Sequence, residues 1–155
     1  MTESIHALAT WRGGFGGSGE ISAPGLSTTV SLPKNLGGAG VGTNPEELLA
    51  AAAASCFLAT FGIILAKSKI AYEAMTATAA LEMSATLPPR VTRLVFTARI
   101  LSSHDAATLK ALALEAKAKC VIGRALDPEL TRELDLEVIG GDGRHRPKHD
   151  VEVRL

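Results

Sequence analysis

At 155 residues the chain is most simply one domain, long enough to bury a core without disulfides or a metal. Its 16 basic and 16 acidic side chains cancel, leaving no global field for nucleic acid or an anionic membrane, and six aromatic residues are too few for a base-stacking surface. Met1 to His6 is polar and carries an acid, unlike a signal peptide, so a cytoplasmic protein is expected. In that compartment two cysteines are more often reduced or catalytic than structural.

His6 to Trp11 reads as a first strand, and Arg12 to Gly19 (RGGFGGSG) holds five glycines that suit a hairpin turn or bulge. A phosphate-cradling role for that loop is disfavoured, because no helix follows it and it lacks a Lys-Ser/Thr ending. Glu20 to Ala23 and Leu26 to Leu32 read as two short strands broken by Pro24-Gly25. Pro33 to Gly42 is then a flexible leader.

The stretch from Pro45 to Lys67 predicts one long helix. Asn44 caps it, Pro45 suits its first position, Glu46 and Glu47 face the positive end of the dipole, and Lys67 and Lys69 favour the other end. Glu47 at the third position closes a capping box, which leaves Glu46 free for other work. No charge falls between Leu48 and Ala66, so a membrane span has to be weighed. The alanines, Ser55, Thr60 and the acidic pair at its mouth favour a helix buried on all sides, in its own fold or in a dimer. The run Ala50 to Ala54 lets another backbone come close.

Tyr72 to Ser84 alternates, with Met75, Ala77, Ala79, Leu81 and Met83 on one side. Val91 to Leu101 does the same with Leu94, Phe96, Ala98 and Ile100, and Leu87-Pro88-Pro89 joins the two strands as a turn. Ser103 and Asp105 cap a second helix bearing Leu109, Leu112, Ala113, Ala116 and Cys120 on its buried face, and Val121 to Leu126 forms a separate turn or short helix. Thr131 to Ile139 is a further strand, with Leu134, Leu136 and Val138 opposite Glu133, Asp135 and Glu137. Residues 140–155 form a tail or edge strand. Runs of strands with interposed helices, without regular βαβ units, predict an α+β fold with mostly antiparallel pairing.

Cys56 and Cys120 stand 64 residues apart, outside any zinc-ligand pattern. They fit either inert core thiols or a redox pair, and the second gains from position, since each lies on a helix face that the adjoining sheet must cover. His145 and His149 flank Pro147 with no third ligand, so a solvated tail is expected there.

The segment Gly42-Thr43-Asn44-Pro45-Glu46-Glu47-Leu48-Leu49, followed by Ser55-Cys56-Phe57, resembles the first motif of the OsmC/Ohr family of thiol-dependent hydroperoxide reductases. Lys117-Ala118-Lys119-Cys120, with Ala125-Leu126 and a strand after it, is similar to the second motif, and the element order matches from Ala9 to about Ile139. The resemblance implies an OsmC-like intertwined homodimer with two long central helices between sheets. It implies a stress-response antioxidant enzyme in which Cys56 is the peroxidatic cysteine and Cys120 the resolving one. No cofactor is implied; the partners are an organic hydroperoxide and an external dithiol of lipoyl type, with no nucleic acid and no membrane. Apolar neighbours Phe57, Leu58, Phe61 and Ile63 favour lipid-like or aryl hydroperoxides over hydrogen peroxide.

Glu46 matches the family acid that positions a catalytic arginine. Ten residues of helix separate it from Cys56, about 15 Å, so the resemblance places its service across the two-fold axis. For the arginine, the leader offers Lys34 alone, Phe15 stands in the usual hairpin place, and Arg12 is assigned the role, with Arg124 as the alternate. Val121 follows Cys120 where the family commonly has proline. A different class stays open beside the enzyme: a protein of the same fold that binds a small hydrophobic molecule at its dimer interface without turnover.

Overall fold

The Asn44 side-chain oxygen accepts the Glu47 N–H at 2.8 Å and starts the longest element, α1, which spans Pro45–Lys67 as the sequence predicts. The Glu47 carboxylate, expected to fold back on the cap, instead takes the Thr43 hydroxyl at 2.8 Å. At its other end α1 closes with Lys69 in the left-handed region at φ 56°, the Lys69 N–H on the Ala66 carbonyl and the Ile70 N–H on the Leu65 carbonyl. The computed structural model describes residues 3–86, 88–126 and 128–140. His145, His149 and the expected tail strand lie outside them. The chain divides into two compact units, Met1–Leu49 and Ala50–Leu155.

In the first unit β1 (Leu8–Ala9), β2 (Ser18–Ala23) and β3 (Leu26–Ser31) form an antiparallel sheet in that order. β1 is shorter than predicted. A side chain at Gly19 would meet the Thr10 carbonyl oxygen at 1.8 Å, so the two strands come too close there for a regular ladder, and pairing resumes only as an Arg12–Ser18 bridge. The glycine-rich segment beyond is the predicted hairpin turn, closed by the Gly17 N–H on the Gly14 carbonyl at 3.0 Å. The leader is tied to β3: the Ser31 hydroxyl donates to the Val41 carbonyl and accepts the Val41 N–H, each at 2.8 Å.

In the second unit β4 (Ala74–Met83) and β5 (Val91–Leu101) pair antiparallel, and β6 (Thr131–Ile139) pairs parallel to β5. Among the described residues three of the four strand pairs are antiparallel, as the mostly antiparallel expectation has it, and β5–β6 is the parallel one. Helices α2 (Ala106–Lys119) and α3 (Val121–Ala125) carry the chain back over the sheet, so β6 re-enters in the direction of β5. Asp105 starts α2 by accepting the Thr108 N–H at 2.7 Å.

Alternation along β5 puts Leu94, Phe96, Ala98 and Ile100 wholly inside, against Phe57, Phe61 and Leu65 of α1 and Leu109, Ala113 and Ala116 of α2. Phe57 stacks on Phe96 with ring centroids 5.1 Å apart. Met75, Ala77, Ala79 and Leu81 of β4 cover the same core, whereas a bulge between Glu82 and Met83 turns Met83 off the expected apolar face and leaves it 42% exposed. On the sheet's wet face Arg93 bridges Glu82, at 2.7 Å, and Glu133.

The sequence predicts α1 buried all round; the structure buries one face, Ala53, Phe57, Phe61, Ile64 and Leu65. The opposite face, Ala51, Ser55, Ala59, Ile63 and Ala66, is exposed. By length and composition α1 could also cross a membrane, with a mean hydropathy of 2.3 over its best window.

Candidate active site

Helical periodicity decides which way Cys56 points. It sits one residue before the core-facing Phe57, half-buried at the border of the hydrophobic cluster, with Ala59 and Ile63 following on its own side at i+3 and i+7. Thr60, one turn on, donates its hydroxyl to the Cys56 carbonyl at 2.8 Å.

Cys120 reaches the same place from the other direction. The sequence reads it as a continuation of α2, but α2 ends at Lys119, and Cys120 adopts φ −58° and ψ 116°, outside the helical region. It is the last cap of α2 and the first of α3, wholly buried, its sulfur accepting the Gly123 N–H at 3.4 Å. The separate short helix predicted after it is thus present, and its job is visible: its first amides point back at sulfur.

The two thiols are free and hydrogen-bonded to each other. Burial pushes the Cys56 thiol up, but the Ile122 N–H, the Cys120 thiol, the Val121 N–H and the Thr60 hydroxyl outweigh it and hold Cys56 below its ordinary value. Cys120 goes the other way. Burial raises it, the Gly123 and Ile122 amides only partly offset that, and the neighbouring Cys56 raises it further by hydrogen bonding and charge. The arrangement therefore favours one thiolate, on Cys56, with Cys120 kept as a thiol beside it.

Of the four site residues read from the sequence, the structure brings Cys56 and Cys120 together. Arg12 and Glu46 belong to the first unit, both exposed, Arg12 at the neck of the hairpin and Glu46 on the first turn of α1. The groups that lower Cys56 are hydrogen-bond donors, two of them backbone amides of α3, and not a guanidinium. Arg124 sits exposed in the last turn of α3. Phe57 and Phe61, expected to shape an apolar approach to Cys56, are core residues; Val121, next to Cys120 in the chain, is 68% exposed, and Ile63, two turns along α1 from Cys56, is 56% exposed. Among the described residues no group of three His, Cys, Asp or Glu side chains is placed to hold a metal ion.

Sequence reasoning missed the α3 amides and Thr60. Backbone donors carry no side-chain signature; Thr60, at i+4 from Cys56 in an apolar run, was a legible one.

Comparison with known proteins adds an independent line. A model of the family described as OsmC-like protein matches residues 37–135. The uncharacterized protein YmaD of Bacillus subtilis is 31% identical over 151 residues, covering 89% of this chain and 97% of that one. An organic hydroperoxide resistance protein of Xanthomonas axonopodis pv. citri is 43% identical over 68 residues, 43% of this chain and 46% of its own length. Among solved structures, the organic hydroperoxide resistance protein OsmC of Legionella pneumophila superposes with a TM-score of 0.74 at 26% identity, covering 88% of this chain and all of that one.

Proposed function

The chain belongs to the OsmC-like protein family, and on that footing we propose that it is a cytoplasmic, thiol-dependent peroxidase that reduces organic hydroperoxides to alcohols. The observation that carries this reading is the hydrogen-bonded pair Cys56 and Cys120, with the first thiol pulled down and the second pushed up.

In this reaction the Cys56 thiolate attacks the distal oxygen of the hydroperoxide. The O–O bond breaks, its electron pair leaves with the alkoxide, and the alkoxide takes a proton to give the alcohol. Cys56 is left as a sulfenic acid. The charge on Cys56 is one of the causes that keep Cys120 protonated. Once the sulfur carries a neutral S–OH, that restraint is gone. The Cys120 sulfur then attacks the Cys56 sulfur, the S–O bond breaks, the Cys120 proton departs with the hydroxyl as water, and a disulfide forms. An external dithiol of lipoyl type exchanges with that disulfide and restores both thiols. Glu46 keeps the acid role that the family pattern gives its position, and Arg12 is assigned that of the arginine, whose usual hairpin place Phe15 holds.

The exposed small-residue face of α1, from Ala51 through Ser55 and Ala59 to Ala66, suits close approach of the same helix of a second copy, which supports a homodimer. The exposed Val121 next to Cys120, and Ile63 further along the Cys56 side of α1, support an apolar, organic substrate.

The test is stopped-flow mixing of reduced protein with cumene hydroperoxide and, separately, hydrogen peroxide, with thiols counted before and after. Loss of both thiols, faster with the organic peroxide, is the expected result. Unchanged thiols overturn the peroxidase and leave the hydrophobic-ligand protein as the occupant of this fold.

A further inference from the structure

Arg132 breaks the pattern of its strand. On β6 it shares the inward parity of Leu134, Leu136 and Val138, which pack against the core, yet it is charged and half-buried. Its guanidinium donates to the Gly123 carbonyl at 2.7 Å, and its own carbonyl accepts the Lys117 ammonium at 3.0 Å. Among the charged side chains of α2, α3 and β6, those next to Cys120 in the chain or at the start of β6 are Lys117 and Lys119 of α2, Arg124 of α3, and Arg132 with Glu133 of β6. Lys117 and Arg132 are the half-buried members that bond to backbone here, whereas Lys119 pairs with Glu115 and Glu133 with Arg93 on wet surfaces.

The partner of that guanidinium is the informative part. α3 has five residues, too few to hold a helical shape unaided, and its last carbonyls have no helical acceptor duty to fill. A cation donating to a carbonyl at this end satisfies the group and suits the negative pole of the turn. The same residue, Gly123, donates its N–H to the Cys120 sulfur at 3.4 Å, and a side chain there would meet that sulfur at 3.7 Å. Arg132 therefore grips α3 at the residue that touches Cys120, and Lys117 ties the end of α2 to the same point of β6.

We propose that Arg132 is a positioning residue for the thiol pair: it pins α3 to β6 so that the first amides of the helix stay aimed at the sulfurs of Cys56 and Cys120. It acts through the helix and not on the sulfurs. This role rests on Cys56 being the reactive thiol, but not on the nature of its substrate.

The experiment is the pH profile of Cys56 alkylation by iodoacetamide, located by peptide mass spectrometry, in the wild type, R132M and R132K, alongside thermal midpoints. Methionine keeps the length and suits an inward position, but donates nothing. R132M is expected to move the alkylation midpoint upward by about half a pH unit, which is roughly a threefold loss of rate below the midpoint, with R132K in between. A lowered thermal midpoint with an unmoved alkylation midpoint in R132M overturns the proposal. Where R132M does not fold, R132K is read by the same criterion. Hydroperoxide consumption by the wild type is scored separately, so that inert thiols toward peroxide with a shifted R132M profile sink the peroxidase and keep the positioning role.

Discussion

Cys56 and Cys120 share a hydrogen bond across 64 residues of sequence, and the contact pulls their acidities apart: Cys56 is lowered and Cys120 raised. A pair poised this way has a division of labour before any substrate arrives. C56S is expected to abolish hydroperoxide consumption. C120S is expected to give one turnover that stops at a sulfenic acid, trapped by dimedone and seen by mass spectrometry. Full activity in C56S removes Cys56 from the chemistry.

The opposite shifts also fix the sign of two pH effects. A folded value below the unfolded one means that ionised Cys56 favours the fold; this contribution is complete above the unfolded thiol's value and fades as pH falls through the folded one. Cys120 has the reverse sign: its protonated form favours the fold below the unfolded value, and the contribution is lost as pH rises through the folded one. Urea midpoints of C56S and wild type across the thiol range should therefore diverge on the alkaline side, with the wild type the more stable. Parallel curves refute the lowered Cys56.

Thr60 has a single hydroxyl proton, which serves either the Cys56 carbonyl or its sulfur. T60V removes the choice at nearly constant volume. The Cys56 alkylation midpoint is expected to rise, by less than about one pH unit, while Cys120 stays unreactive at neutral pH.

The left-handed Lys69 that closes α1 carries a Cβ in a conformation that glycine adopts without strain. K69G is expected to raise the unfolding free energy read from urea denaturation by about 1 kcal/mol. A loss of stability would show that the lysine side chain contributes more than its backbone strain costs.

Phe57 is wholly buried, stacked on Phe96 and tilted against Phe61. F57A leaves a void that β5 cannot close without moving, and a loss of about 3–5 kcal/mol is expected in chemical denaturation. Because Cys56 is the next residue, the same variant should also broaden its alkylation profile.

The parts legible in sequence were those with local causes. The bounds of α1 followed from Asn44, Pro45 and the terminal lysines, and β5 and β6 from strict alternation. The direction of β6 was not legible, because parallel or antiparallel pairing depends on where α2 and α3 lead the chain and not on the strand itself. Cys56 and Cys120 were readable as candidates through their motifs. What activates Cys56 was sought among arginine side chains, whereas the donors that touch it include the Val121 and Ile122 amides, invisible at the level of residue type. Valine at position 121, where the family commonly has proline, is nonetheless informative after the fact, since proline has no N–H to give.

The single covered face of α1 has a consequence for how the protein is made. Translation proceeds at about 5–20 residues per second, so the helix emerges some 2–7 s before β5 is available to shield Phe57 and Phe61. During those seconds the nascent chain offers a charge-free apolar segment of near membrane-spanning length. Productive folding is thus a race between the arrival of Leu94, Phe96 and Ile100 and capture of that segment by a lipid bilayer or by another unfinished chain, and a slow ribosome over residues 70–100 should lower the yield of native protein.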